Sequence, residues 1–379
     1  MLALLNEYEK DFQDAVARFA QNEMPKYLTS DTNCVPLDLF KKFADYSLAG
    51  LTISEQWGGA DGNSAFSVIA MEEIAKVSLG PAIFLSVHNM AAQLIERFAS
   101  DSIKKEFLPK LTSGEFLCGF ALTEPNAGSN AADIRTKASI KGDKVILNGS
   151  KCFISSAGWA KYYLVFAKTD DRKDPIALIV PAPLKGLTVS PPEKKMGGDY
   201  SPIASLSFDN VTVPAEYIVG KVGDGYKIAM EGLLGGRINM AACANGLSVS
   251  ALQTALDYLK TREQFGKKLI QFQGLQFMVA DMMMKLQASR LLTLYAARNL
   301  DANTGDERLF SSLAKCFSTD SAMAVTTDCV QLLGGAGYIK EYKVERYMRE
   351  AKMLQIVEGT NQIQRVIIAK EMSKEGFAI

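Results

Sequence analysis

Glu358 lies in the run Leu354-Gln355-Ile356-Val357-Glu358-Gly359-Thr360-Asn361-Gln362-Ile363-Gln364-Arg365, a setting that suits proton transfer. Helical periodicity stops in the apolar stretch from Met353 to Val357 and resumes just after Thr360. Gly359 permits a tight backbone turn, and Thr360 is a good N-cap for the helix that follows. A carboxylate in a short turn between two apolar helices can be partly desolvated, which lifts its pKa toward the range of a general base. Standing alone, the same residue also reads as a solvated turn glutamate.

Four more runs carry residue types that could hold a ligand. Ala121-Leu122-Thr123-Glu124-Pro125-Asn126-Ala127-Gly128-Ser129 combines small residues and hydroxyls, so N–H and O–H groups can converge on a flat heterocycle or a phosphate. Asn148-Gly149-Ser150-Lys151-Cys152-Phe153-Ile154-Ser155 opens on a hairpin signal, and the alternation after it predicts Phe153 and Ser155 on one face. In Thr261-Arg262-Glu263-Gln264-Phe265-Gly266-Lys267, followed by Phe272-Gln273, one long helix breaks at Gly266, and the planar fork of Arg262 suits a diphosphate. Gln331-Leu332-Leu333-Gly334-Gly335-Ala336-Gly337-Tyr338 allows close backbone approach, yet it is not a dinucleotide fingerprint and no strand precedes it. Taken singly, each run also reads as an ordinary turn, strand, loop or helix cap.

The bulk properties narrow the chemistry. With 379 residues the chain can bury a large core in two or three domains. Lys plus Arg equals Asp plus Glu at 42 each, so no global field favours nucleic acid or an anionic membrane. Hydrophobic content of 48% with 22% charged residues is ordinary for a globular protein, and no apolar run has the length of a membrane span. The N-terminus lacks a basic n-region and a cleavage site; this predicts a cytoplasmic protein, or a mitochondrial-matrix protein if the chain is a trimmed mature form. Six scattered cysteines without a C-x-x-C pair predict buried reduced thiols. A single histidine, His88, cannot build a multi-histidine metal site, so no metal is expected and the chemistry rests on carboxylates, hydroxyls or a bound cofactor.

Three textures follow along the chain. Residues 1–117 read as helices, with Leu5, Tyr8, Phe12, Val16 and Phe19 at three- and four-residue spacing and further helices over Phe66 to Val77, Ala82 to Phe98 and Ile103 to Leu111. Residues 118–225 break into short β-rich runs punctuated by Gly, Pro, Asn and Asp, which predicts an antiparallel sandwich or barrel; the spacing is too short for βαβ crossovers. Residues 226–379 return to long helices over Tyr226 to Lys260, Phe272 to Leu300, Arg308 to Leu333, Lys343 to Val357 and Asn361 to Lys374, an up-and-down bundle. The fold class is therefore α+β, in the order helices, β domain, helical bundle.

Together the runs resemble one family. L-T-E-P-x-A-G-S, N-G-x-K-x-F-I-[ST], T-R-x-x-F-G-K, Q-L-x-G-G-x-G-Y and E-G-T-x-x-I-Q-R occur here in the order and spacing of the flavin-dependent acyl-CoA dehydrogenases, over essentially the whole chain. The resemblance implies FAD between the β domain and the C-terminal bundle. Leu122 and Thr123 would line the pyrimidine side of the flavin, Ser129 would reach the pyrophosphate, and Phe153 would pack on the ring system with Ser155 near flavin N5. Arg262, Phe265 and Gln273 would hold the diphosphate and adenosine. Gln331, Gly334 and Gly335 would contact FAD of a neighbouring subunit, which implies a homotetramer or dimer. Thr360 and Gln362 would also touch FAD.

The resemblance further implies that Glu358 removes the α-proton of an acyl-CoA while hydride leaves the β-carbon for flavin, giving a trans-2-enoyl-CoA, and that an electron-transferring flavoprotein takes the electrons. One subgroup carries its base on a C-terminal-domain helix, at the position of Gly236; glycine cannot serve, which leaves Glu358. Arg237 is expected to shape the substrate site, with Gly359 beside it. Three positions depart from the family pattern: Asn130 stands where Asp is usual, Ser155 where Thr is commoner, and Val357 where Tyr often precedes the base. The stretch Leu85-Ser86-Val87-His88-Asn89-Met90 looks like the short-chain members and favours a short acyl group, with His88 in a packing or hydrogen-bonding role. The same sequence is compatible with an acyl-CoA oxidase, an enoyl-CoA reductase, an acyl-carrier-protein dehydrogenase or a redox-inactive binding protein.

Overall fold

A computed structural model describes residues 4–28, 34–169 and 175–377; the first three residues of the stretch read for targeting lie outside these. Five helices come first: α1 (Glu7–Asn22), α2 (Leu37–Asp45), α3 (Ser64–Val77), α4 (Leu79–Phe98) and α5 (Asp101–Thr112). Helix α1 starts on a reciprocal cap, in which the Asn6 side chain accepts from Glu9 N–H and the Glu9 side chain accepts from Asn6 N–H. Helix α4 begins three residues earlier than Ala82, because Pro81 falls in its first turn, where a missing N–H costs nothing. Sixteen of its residues are buried, which makes it the central post of the N-terminal part.

The β segment comprises β1 (Cys118–Ala121), β2 (Lys137–Lys141), β3 (Lys144–Ser155), β4 (Tyr162–Thr169), β5 (Pro175–Pro181), β6 (Leu187–Val189), β7 (Ile203–Pro214) and β8 (Ile218–Val219). They form one sheet in the order β6-β7-β3-β2-β4-β5-β8, with β1 pairing parallel to β4. All other pairings are antiparallel except β2 with β4. The expected hairpin at Asn148-Gly149 is not there. β3 runs straight through it, and register shifts occur at Leu147/Gly149 and Lys151/Ile154. Gly149 has φ +144°, and a Cβ on it would lie 2.7 Å from Thr136 Cα, so this glycine makes a bulge under a close backbone crossing. The hairpin instead joins β2 to β3 through Gly142.

The C-terminal part contains α6 (Gly225–Thr261), α7 (Gln273–Ala302), α8 (Glu307–Leu333), α9 (Val344–Leu354) and α10 (Asn361–Met372). The break read at Gly266 is a two-stranded ribbon, β9 (Glu263–Gln264) and β10 (Lys267–Lys268), whose turn residues Phe265 and Gly266 both have positive φ, 54° and 76°. Helix α3 is tied to the bundle by Glu72, fully buried and paired with Arg290 on α7. All six cysteines are buried and free. Among the described residues no helix is long and apolar enough to cross a membrane.

His88 joins the first segment to the sheet. Its Nε2 donates to Ala49 O at 3.1 Å, and its Nδ1 accepts from Cys118 N–H at 3.2 Å. That arrangement uses both nitrogens of the neutral ring, and burial pulls its pKa down from 6.5 to about 4. The unfolded chain binds a proton at this position below about pH 6.5 while the folded one does so only near pH 4. Stability contributed by neutral His88 is therefore full above pH 6.5 and is lost as the pH falls toward 4, with a slope of about 1.4 kcal/mol per pH unit. His88→Asn is expected to have a flatter acid limb than the wild type in urea unfolding between pH 7 and 4; parallel curves for the two proteins would contradict this.

Candidate active site

The turn that carries Glu358 leaves α9 at Leu354 and enters α10 at Asn361. Thr360 caps α10, its Oγ1 accepting from Ile363 N–H at 3.3 Å, as the sequence suggested. Glu358 itself has φ +55° and Gly359 φ +89°. A left-handed glutamate costs about 1–3 kcal/mol and persists only where neighbours hold it. Here they do. Gln364 Nε2 donates to Glu358 O at 3.2 Å and to Gly359 O at 2.8 Å, and Arg237 Nε reaches Glu358 O at 3.4 Å.

A third clamp comes from Lys315, in the middle of α8 and fully buried. Its Nζ donates to Gly359 O at 2.9 Å and to Asn361 Oδ1 at 2.8 Å. Asn361 in turn donates through Nδ2 to Thr319 Oγ1 and Asp320 Oδ1, and Asp320 also receives Gln355 and Arg365. Both ends of the turn are thus fixed to one face of α8. Lys315, Asn361 and Gln364 escaped the sequence reading; the available signal was a lone lysine among Ser, Ala, Cys and Thr in the middle of a helix.

The carboxylate is arranged differently from its backbone. Glu358 is half-buried, but its Oε2 is sealed from solvent and makes no hydrogen bond. Burial pushes its pKa up to about 7, against the pull of Arg237 and Lys315. Burial likewise draws Lys315 down to about 8 and Arg237 to about 10. The carboxylate lies against α6 at Gly236, where a Cβ would approach Glu358 Oε2 to 2.6 Å. Any larger residue there would displace it. The Glu358 N–H donates to no backbone acceptor among the described residues. A small cavity is lined by Gly235 and Gly236 of α6, Asn89 and Gln93 of α4 and Ser64 and Ser67 of α3.

The remaining sequence candidates form three groups. Cys152 N–H donates to Thr123 O at 2.9 Å and the buried Lys151 Nζ donates to Leu122 O at 2.9 Å, so Leu122 and Thr123 sit beside Phe153 and Ser155. Lys151 is held by Glu124 at 2.7 Å, which also accepts from the N–H groups of Arg135 and Thr136. Phe153 is 62% exposed with φ +56°, and Ser155 is half-exposed on the same side of the strand. Arg262, Phe265 and Gln273 line the β9–β10 ribbon, all exposed, Phe265 by 92%. Gln331, Gly334 and Gly335 are exposed where α8 ends, Gly334 closing it with φ +58°. Among the described residues no hydrogen bond or ring contact joins these last two groups to Glu358. Ser129 and Gln362 are exposed as well.

An exposed aromatic on a left-handed backbone beside hydroxyls, with open space where Cβ atoms of Gly128, Gly334 and Gly335 would stand, fits a large flat cofactor with phosphates. Helices, sheet and bundle in this order, around such a surface and a desolvated carboxylate, are the arrangement that the motif resemblance implied for a flavin-dependent oxidoreductase. Three family descriptions match the chain in sequence: acyl-CoA dehydrogenase N-terminal domain over residues 6–115, middle domain over 119–211 and C-terminal domain over 223–373. The chain belongs to the acyl-CoA dehydrogenase family, FAD-dependent oxidoreductases acting on acyl-CoA. It is 39% identical to the mitochondrial isobutyryl-CoA dehydrogenase of Dictyostelium discoideum over 376 residues, 98% of this chain and 90% of that protein. It is similar to butyryl-CoA dehydrogenase from Megasphaera elsdenii (TM-score 0.94, 37% identity, 98% of this chain and 99% of that one). It is equally similar to a chain in a structure of the electron transferring flavoprotein of Acidaminococcus fermentans (TM-score 0.94, 39% identity, 98% and 99%).

Lys315→Met removes a buried cation and two hydrogen bonds from the turn. The Glu358 pKa is expected to rise above about 7, because one of the two charges that favour its ionised form is gone. Infrared titration of the carboxyl band, with Glu358→Gln as the blank, measures this. An unchanged titration midpoint would show that Lys315 does not act on the carboxylate.

Proposed function

We propose that the chain dehydrogenates short acyl-CoA thioesters between the α- and β-carbons, with Glu358 as the base. The observation that carries this reading is the unpaired, sealed Oε2 of a carboxylate whose backbone is clamped from α6, α8 and α10. A carboxylate with a pKa of about 7 is ionised in a large share of molecules at neutral pH and is basic enough to take a proton. Arg237 and Lys315 hold the turn and bias Glu358 toward its charged form. In this reading the Glu358 N–H, which donates to no backbone acceptor among the described residues, donates to the thioester carbonyl and stabilises the negative charge that develops as the α-proton leaves. The α-proton ends on the Glu358 carboxylate and a trans double bond forms as the β-hydride departs. FAD, when bound, supplies the two-electron acceptor for that hydride.

In this reading Leu122, Thr123, Phe153 and Ser155 hold the flavin ring, Ser129, Arg262, Phe265 and Gln273 the pyrophosphate and adenosine side, and Thr360 and Gln362 the edge next to the base. Gln331, Gly334 and Gly335 serve a cofactor shared with a second subunit in a homo-oligomer; their exposure in the single chain supports this. Likeness to a chain solved with an electron transferring flavoprotein supports that class of protein as electron acceptor. The short-chain reading is supported by the small cavity and by the butyryl- and isobutyryl-CoA dehydrogenases this chain resembles.

Glu358→Gln is expected to retain bound flavin while anaerobic bleaching by butyryl-CoA slows by about 10²–10⁴-fold. In the wild type, kcat/KM should rise with pH through about 7 as the free base ionises. Bleaching by the variant at the wild-type rate would remove Glu358 from this role. Gly236→Ala separates position from stability. Its new methyl pushes on Glu358 Oε2, so kcat is expected to fall by about 10–100-fold. The Tm should stay level or rise, because alanine favours a helix interior over glycine by about 0.5–1 kcal/mol.

A further inference from the structure

The cavity beyond Gly236 has an unusual wall. Gly232, Gly235, Gly236 and Asn239 follow one face of α6, at spacings of three, one and three residues. Opposite them stand Asn89 and Gln93 of α4, one helical turn apart. Gly236 borders the carboxylate on one side and the cavity on the other, and the cavity wall also carries polar Thr52, Ser64 and Ser67 and apolar Met90 and Ile238. Asn239 is 9% exposed and engaged at both polar ends: its Oδ1 accepts from Ser67 Oγ at 2.9 Å and its Nδ2 donates to Ser86 Oγ at 3.1 Å. Asn89, 6% exposed, is half-used. Its Nδ2 donates to Leu48 O at 2.9 Å, which fixes the amide orientation and leaves Oδ1 as a buried acceptor with no partner. No charged side chain lines the cavity.

We propose that this polar wall, with Asn89 Oδ1 as its acceptor, is a specificity determinant of the acyl site. It takes acyl tails that stop short of it or that bring it a neutral hydrogen-bond donor such as a hydroxyl. The inference rests on the acyl-CoA dehydrogenase reading and adds to it the chemistry of the tail. A longer alkyl chain brings no donor, so Asn89 Oδ1 stays buried and unpaired beside it. A terminal hydroxyl on a chain of the same length donates to it. A terminal carboxylate fails, because it offers an acceptor to an acceptor and a charge to a wall with no cation.

The test compares isosteres. Hexanoyl-CoA and 5-hydroxypentanoyl-CoA have chains of equal length and differ by a methyl against a hydroxyl. Their dissociation constants are measured by anaerobic calorimetry on flavin-loaded Glu358→Gln, in which reduction is slowed by about 10²–10⁴-fold, with butyryl-CoA and glutaryl-CoA as references. The hydroxyl compound is expected to bind at least about tenfold more tightly than hexanoyl-CoA and glutaryl-CoA, and Asn89→Leu in the same background should abolish or reverse the preference. Equal or weaker binding of the hydroxyl compound overturns the assignment, and that comparison needs no change at Asn89. A preference that survives Asn89→Leu also overturns it. Failure of butyryl-CoA to bleach wild-type flavin, in contrast, strikes the dehydrogenase reading and leaves the isostere comparison to judge the wall by itself.

Discussion

The structure around Glu358 depends on a contest between desolvation and two buried cations. Burial alone would leave the carboxyl protonated and inert, while Arg237 and Lys315 alone would leave a strong acid with little affinity for a proton. Their sum puts the carboxyl near 7 and, reciprocally, pulls Lys315 to about 8 and Arg237 to about 10. Three groups that would titrate far apart in water are brought within a few units of each other. Among the described residues neither cation forms a direct side-chain pair with Glu358: Arg237 and Lys315 spend their hydrogen bonds on backbone carbonyls and Asn361, so the charges act on the carboxylate through space. A direct bidentate pair would have lowered its basicity further.

That contest needs geometry that no single element supplies. Arg237 comes from α6, Lys315 from α8 and the turn from the α9–α10 junction, so their relative positions are set by the packing of the bundle. The β segment uses the same device. Lys151 and Glu124, both fully out of water, converge with the N–H groups of Arg135 and Thr136 on the strand end that carries Leu122 and Thr123. Buried ion pairs contribute little net stability compared with well-packed apolar groups. What they do here is fix a loop that has no sheet partners of its own at its open end.

What could be read from the sequence was mostly periodic or local. The long helices, the β-rich middle and the Thr360 cap all follow from spacing and from the chemistry of one or two residues. Asn148-Gly149 misled, because the dipeptide says only that a positive φ is easy; the reason for it, the crossing of Thr136, lies thirteen residues away and is invisible locally. The Phe265-Gly266 turn shows the opposite case, a local positive-φ pair that makes a ribbon where a plain loop was expected. Lys315 and Gln364 could not be found this way. Lys315 meets Gly359 O across 44 residues, which only the tertiary fold brings near, and Gln364 folds back on carbonyls five and six residues earlier through a turn whose left-handed backbone the spacing did not show. The ordered motifs pointed to the family, yet they could not say what holds Glu358 in place.

Helix α6 shows why the site takes the form it does. A helix interior is a poor place for glycine, yet three stand on one face of α6 between residues 232 and 236. At Gly232 a Cβ would strike Leu94 Cδ1 at 2.7 Å, and at Gly236 it would strike the Glu358 carboxylate at 2.6 Å. At Gly235 it would meet nothing within 4 Å. The first two therefore permit close packing, of α4 on one side and the base on the other, and the third leaves free volume between them. Asn239 ends that volume one turn further on, with both polar ends of its side chain engaged. The same helix face thus borders both the Glu358 carboxylate and the cavity beside it, so a change in α6 that alters one alters the other.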